Sequence, residues 1–230
     1  KTTLGFKKEV VTTLRTTQTL GVKGLTGNFV DVVAGDVLFP PSTPGGAQEI
    51  YALPLSLDTL AMYYNKDLLN LAGIPTPPKT WIELQGVIKR LTKLDMEGKI
   101  VQAGAALGGS RNIERASDIL SLLMMQNGAV MMDERGQAVF DRLPGSLRGR
   151  AVAPGEEALV FYTDFANQGK EVYTWGDTLP NSLQAFAAGK AAIFFGYGYQ
   201  LATVKNLAPK LNFDIAPMLQ IEGNPEVNFA

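Results

Sequence analysis

The chain has 230 residues, with 21 Lys and Arg against 22 Asp and Glu, and so carries a formal charge of −1. That balance lacks the basic excess of a protein that grips a nucleic-acid backbone, and an apolar share of 46% is too high for a disordered chain. With no Cys and no His, disulfides, thiolate nucleophiles, Ser-His-Asp triads and ordinary zinc sites are excluded.

The length suits one large α/β domain or two lobes of about 100 residues each. No apolar run reaches the roughly 18 residues that span a bilayer. The first 48 residues are polar and Thr-rich, with one apolar patch at Phe29 to Val33 and a loop through Pro40, Pro44 and Gly46. Ile50 to Leu55 and Leu60 to Tyr64 read as extended segments. Lys66 to Ala72 reads as a short helix stopped by Gly73, followed by a stiff Pro-rich link. Thr80 and Glu83 are spaced as a capping box, and Leu84, Val87, Ile88 and Leu91 follow as one apolar stripe. Trp81, at the first position of that helix, is assigned to the core.

Ala103 to Leu107 reads as a small-residue strand. A second helix carries Ile113, Ala116, Leu120 and Leu123 and stops at Asn127-Gly128. Short strands are expected in Ala129 to Phe140, a loop from Leu143 to Gly155 and a helix from Glu156 to Ala166. Asn181 or Ser182 caps a short helix ending at Gly189, ahead of a buried strand from Ala191 to Phe195. Gly196-Tyr197-Gly198-Tyr199, a helix to about Leu207 and a strand near Phe213 to Ala216 complete the α/β alternation.

Gly189-Lys190 lacks the earlier Gly and the Ser/Thr of a phosphate loop, and Gly196-Tyr197-Gly198 lacks a third Gly at the required offset, so neither is a nucleotide motif. Carboxylate pairs run glycoside hydrolysis without His or Cys, and Asp58, Asp118, Asp164 and Asp177 are the candidates for it. Metal chemistry is open only to oxygen-ligand ions, and Asp133-Glu134 is too thin a signal for one. The aromatics say more. Tyr63 and Tyr64 end a strand, Tyr173 and Trp175 sit in a polar stretch, and Tyr197 and Tyr199 alternate with Gly and Gln after a buried strand. Such rings offer a flat apolar face with a polar handle, which suits the C–H face and hydroxyl rim of a sugar.

The segment from Leu53 to Leu69 (LPLSLDTLAMYYNKDLL), with AGIP at 72–75 and PKTWIEL at 78–84, resembles the extracellular solute-binding proteins of ABC importers, in particular family 1, the maltose-binding and multiple-sugar type. QNG at 126–128 and AFAAGKAAI at 185–193 match the same family's later segments in the right order. The resemblance implies an α/β, two-lobed fold of the periplasmic-binding-protein type, with a solute held between lobes. It also implies that this chain carries part of lobe 1 and the first crossing (1–62), lobe 2 (63–227) and the start of a return crossing (228–230), the natural start having been removed.

By the same resemblance Asp58 faces the cleft and Tyr199 stacks on sugar, with Arg111 and Asn112 at a bordering helix start and Trp175 on the path inward. Tyr64 and Tyr197 complete the candidate set. The implied function is capture of a small polar solute, most plainly an oligosaccharide, for delivery to a membrane permease. No catalysis, cofactor, metal or nucleic-acid partner is expected. The protein would act as an exported monomer, extracellular or periplasmic, free or lipid-anchored. A carboxylate-based glycosidase in the same aromatic-lined cleft is the alternative, and an adhesion or scaffold module the third reading.

Overall fold

A computed structural model describes residues 19–229, which divide into two units at Leu57 and Asp58. In the smaller unit, α1 (Val22–Asn28) and α2 (Asp31–Val37) lead into β1 (Leu38–Phe39), which pairs antiparallel with β2 (Glu49–Ile50). Leu25, Val33 and Val37 form its buried core, with Phe29, Leu38 and Ile50 against them. The described part of the polar, Thr-rich stretch is therefore partly helical. Each helix has only seven residues, so neither repeats its apolar spacing often enough to stand out from Gly24, Gly27 and Gly35. Of the extended segment expected from Ile50 to Leu55, Ile50 lies in β2 and the Tyr51 N–H donates to the Val37 carbonyl at 3.0 Å, while Leu53 and Leu55 are exposed.

The larger unit is built on a three-stranded antiparallel sheet. Its central strand, β3 (Leu60–Asn65), is flanked by β6 (Ile193–Tyr197) and β7 (Phe213–Pro217). Between them in the chain come α3 (Lys66–Leu71), α4 (Trp81–Leu91), β4 (Lys93–Leu94), β5 (Ile100–Gln102), α5 (Ala116–Gln126), α6 (Pro154–Asp164), α7 (Ser182–Ala187) and α8 (Gln200–Leu207). Both faces of the sheet are covered. Leu60 and Met62, with Ile193 and Phe195, join the main core of Trp81, Leu84, Ile88 and Leu123. Ala61, Tyr63 and Phe194 turn the other way, onto Leu183, Phe186 and Val204 of α7 and α8. Alternation along β3 is present, but burial on both sides makes the strand apolar or aromatic from Leu60 to Tyr64.

Local signals place most of these elements. Asn65 caps α3 by accepting the Leu68 N–H at 3.0 Å, and Gly73 ends the turn with φ +67°. Thr80 accepts the Glu83 N–H at 3.2 Å, while the Glu83 carboxylate reaches the Lys79 N–H at 2.7 Å, one residue before the cap itself. Asn181 is the cap of α7 and accepts the Leu183 N–H at 3.0 Å. Trp81 is buried as expected, its Nε1–H donating to Gln126 Oε1 at 2.7 Å.

Other expectations change. Helix α6 starts at Pro154, within the stretch read as loop, because a proline at the first helical position gives up only an N–H that has no partner there. Ile113 is buried ahead of α5, whose inward face is Ile119, Leu122 and Leu123 and leaves Leu120 half-buried. In place of a strand from Ala103 to Leu107, Ala103 makes a parallel bridge to Ala191 and Gly104 approaches α4. A Cβ on Gly104 would lie 3.0 Å from the Ile88 carbonyl oxygen. Between Ala129 and Phe140 a single antiparallel bridge, Met132 to Ala138, closes a turn that Asp133 holds through the Arg135 and Gln137 N–H groups.

The larger unit begins at Asp58, and within it β3 pairs along its length with β6 and β7. The Leu60 N–H also donates to the Phe229 carbonyl at 2.9 Å, which sets the end of the described chain beside the start of β3.

Candidate functional site

Strand β6 ends at Tyr197, and α8 begins after Gly198 and Tyr199. Two glycines make this corner possible. A Cβ on Gly196 would come within 2.2 Å of Gln200 Oε1, and one on Gly198 within 2.8 Å of Asp58 Oδ1. The carboxylate of Asp58 fills the space left by the second. Its Oδ1 accepts the N–H groups of Thr59 and Gly198, and its Oδ2 accepts that of Tyr199, each at 2.8 Å. Asp58 thus neutralises free N–H groups at the start of α8 from a segment 140 residues away in the chain. Burial pushes the Asp58 pKa up, but the three backbone N–H donors outweigh it and hold the carboxyl below its ordinary value.

Tyr63 supports the corner from beneath. Its hydroxyl donates to the Tyr197 carbonyl at 2.6 Å, and burial, with the charge of Asp58, pushes its pKa up to about 12. The buried Gln200 side chain accepts the Tyr197 N–H at 2.9 Å and donates to Glu114 Oε2 at 2.6 Å.

On this frame stand two tyrosine rings, 6.3 Å between centroids and 14° from parallel. Tyr197 is half-buried, and its hydroxyl donates to Asp118 Oδ2 at 3.2 Å; burial first and then the Asp118 charge raise its pKa. Tyr199 is 58% exposed. The Arg115 guanidinium lies 4.9 Å from the Tyr197 centroid and 5.9 Å from that of Tyr199, and its Nη2 donates to the Tyr199 hydroxyl. Asp118 Oδ2 is 3.9 Å from Arg115 Nη1. The result is an exposed aromatic ledge edged by fixed polar groups, an arrangement that can stack on the apolar face of a polyhydroxylated molecule and bond its rim.

Asp58, Tyr197 and Tyr199 are therefore together, and the remaining candidates lie elsewhere. Tyr64 sits opposite Ile193 while Leu60 sits opposite Tyr197, which places Tyr64 about 13 Å along the strand from the corner. Asn112 has its amide engaged by the protein itself. Its Nδ2 donates to the Gly176 and Leu179 carbonyls at 3.1 and 2.9 Å, and its Oδ1 accepts Trp175 Nε1–H at 2.8 Å. Trp175, expected on the path of a ligand, has 0% exposure and belongs to the main core, because that hydrogen bond satisfies the one polar atom of its side chain and leaves the ring free to pack. Arg111 is exposed and paired with Asp177 at 3.5 Å, beside an open groove of about 470 Å³ that Gly109, Ser110 and Ser117 also line.

Sequence reasoning missed Arg115 and Gln200 as parts of the ledge, and it singled out Asp118 only as a possible catalytic carboxylate. The spacing of Arg115 and Asp118 by three residues on a helix was the available signal, but it does not reveal the tyrosines they meet.

Comparison with known proteins agrees with this architecture. The chain is 39% identical to a protein of Brucella abortus (strain 2308), named as a binding protein, over 71 residues, 31% of this chain and 16% of that one. It is 28% identical to the mannitol-binding protein of Pseudomonas aeruginosa over 182 residues, 76% of this chain and 38% of that one. The solved structure of CpMnBP1 with mannobiose bound superimposes with a TM-score of 0.61, at 23% identity, covering 89% of this chain and 48% of that one. The chain thus spans less than half the length of each of these proteins. Its α/β, periplasmic-binding-protein class of fold is the one expected from the sequence. Residues 7–228 match the family described as bacterial extracellular solute-binding protein, and the chain belongs to that family.

Proposed function

We propose that this protein is the solute-capturing component of an ABC importer, exported from the cell, that binds a sugar, most plainly an oligosaccharide, and passes it to a membrane permease without making or breaking a bond. The observation that carries the reading is the ledge. Tyr199 offers an exposed aromatic face, and Asp58 fixes its backbone within the turn that follows Tyr197, beside Arg115 and Asp118 at the start of α5. Stacking on a sugar's C–H face, with charged groups at the rim for its hydroxyls, suits a neutral, strongly hydrated solute. The similarity to a mannitol-binding protein and to a protein solved with mannobiose supports the same chemical class.

The enzymatic alternative receives less support. Glycoside hydrolysis needs one carboxylic acid kept protonated near neutral pH by a raised pKa. The Asp58 carboxyl is instead held below its ordinary value by its three backbone N–H donors.

Titration calorimetry of the full-length protein with mannobiose, maltose, mannitol, a sugar acid and a neutral amino acid tests the reading. Micromolar or tighter one-to-one binding of at least one sugar or polyol is expected, with no turnover of chromogenic glycosides. Binding confined to the amino acid, or to none of the five, would refute it.

A further inference from the structure

We propose that Arg115 is a positioning residue of the solute site, setting the orientation of the Tyr199 ring from the start of α5; this rests on the reading that Tyr199 carries the solute. An exposed tyrosine ordinarily exchanges rotamers within nanoseconds, and each exchange removes the face on which a solute would stack. Tyr199 is 58% exposed, yet the residue is held at its backbone and at its hydroxyl. Asp58 fixes its backbone N–H, and Arg115 Nη2 donates to its hydroxyl at the far end of the ring.

Arg115 is itself fixed. Its guanidinium lies over the Tyr197 ring at 4.9 Å, and Asp118, one turn into α5, sits 3.9 Å from Nη1. The Tyr197 hydroxyl donates to the same Asp118 oxygen at 3.2 Å, and the two rings lie 14° from parallel. The four side chains form a closed circuit: arginine to tyrosine hydroxyl, ring beside ring, hydroxyl to carboxylate, carboxylate back to arginine. A planar guanidinium is suited to this, because it stacks on one ring while its fork donates to the hydroxyl of the other. A lysine ammonium has no plane to lay on Tyr197. Arg115 Nε is buried and has no hydrogen-bond partner among the described residues, so the head group sits where the rings need it at the expense of its own hydrogen bonding.

This arrangement restricts which solutes fit. A ring held at one tilt accepts a sugar whose flat face meets it at that tilt and disfavours one whose substituents stand up from the face. Arg115 therefore acts on affinity through Tyr199, with no requirement that it touch the solute.

Two measurements on the full-length protein test this. The first uses no ligand. With tyrosines labelled for ring NMR and Tyr199 assigned by its loss in Tyr199→Phe, both Arg115→Met and Arg115→Lys are expected to shift the Tyr199 and Tyr197 ring signals and to leave the other tyrosines in place. The second is a double-mutant cycle on mannobiose and maltose affinity. Arg115→Met and Tyr199→Phe are each expected to weaken binding about tenfold, and the double variant no more than the worse single one, because they cut the same link. Unchanged Tyr199 signals in both arginine variants, or losses that multiply in the double variant, would overturn the proposal. Should the wild type bind neither sugar while the ring signals still move, the positioning role stands and the sugar reading falls.

Discussion

Asp58 joins three separate stretches of physics in one carboxylate. It closes the turn before β3 through Thr59, fills the space that Gly198 leaves, and supplies negative charge at the positive end of α8. Asp58→Ala would leave the Gly198 and Tyr199 N–H groups without a partner, and is expected to cost about 1–2 kcal/mol in urea denaturation, within the range of lost helix caps. The pH dependence has a definite sign. The folded-state pKa is lowered, so the contribution is complete above the ordinary value of 3.8 and is lost as pH falls through that value toward the folded one. Asp58→Asn, which does not titrate, is expected to flatten that part of the acid limb of the stability curve, measured by denaturation between neutral pH and the acid transition. Arg115 shows the opposite balance, since its buried Nε–H has no partner among the described residues, an arrangement that costs about 1–3 kcal/mol.

Among the elements, α4 shows how far local chemistry reaches. Thr80 caps it, Leu84, Ile88 and Leu91 bury one stripe, and Lys89 and Arg90 lie in its last turn, where the helix dipole favours positive charge. Thr80→Ala removes the acceptor for the Glu83 N–H and is expected to lower stability by about 1 kcal/mol, while Thr80→Ser retains it. A shifted urea midpoint with an unchanged slope is the measurement. The departure from a simple capping box, with Glu83 reaching Lys79 instead of the cap residue, comes from tertiary structure. The Thr80 segment bridges to Gln220, where the Gln220 N–H donates to the Lys79 carbonyl at 3.0 Å.

For the molecule as a whole, the proposed solute would bind the folded state alone, and so must stabilise it. A sugar at about 100 times its dissociation constant is expected to add about 2.7 kcal/mol, read as a rise in thermal midpoint that Tyr199→Ala abolishes. An equal rise with that variant would place the solute away from the ledge.

The sequence by itself determined the family, through blocks such as the one from Leu53 to Leu69, and most elements of the larger unit. Those elements were legible because their signals are short-ranged: caps at Asn65, Thr80 and Asn181, stops at Gly73, Gly128 and Gly189 with positive φ, and apolar spacing within a helix or strand. The seven-residue helices of the smaller unit escaped notice because two turns hold too little periodicity. Only the tertiary structure decided which aromatic faces solvent and which charged group stands beside it. Trp175 and Tyr199 both follow Gly or polar residues in the chain, yet one packs in the core and the other lies open, because packing and hydrogen bonding across the fold choose the side. Asp58 meets Tyr199 across 141 residues and Arg115 meets it across 84. No local propensity encodes such a meeting; it arises where β3 and β6 pair and α5 starts beside the end of β6.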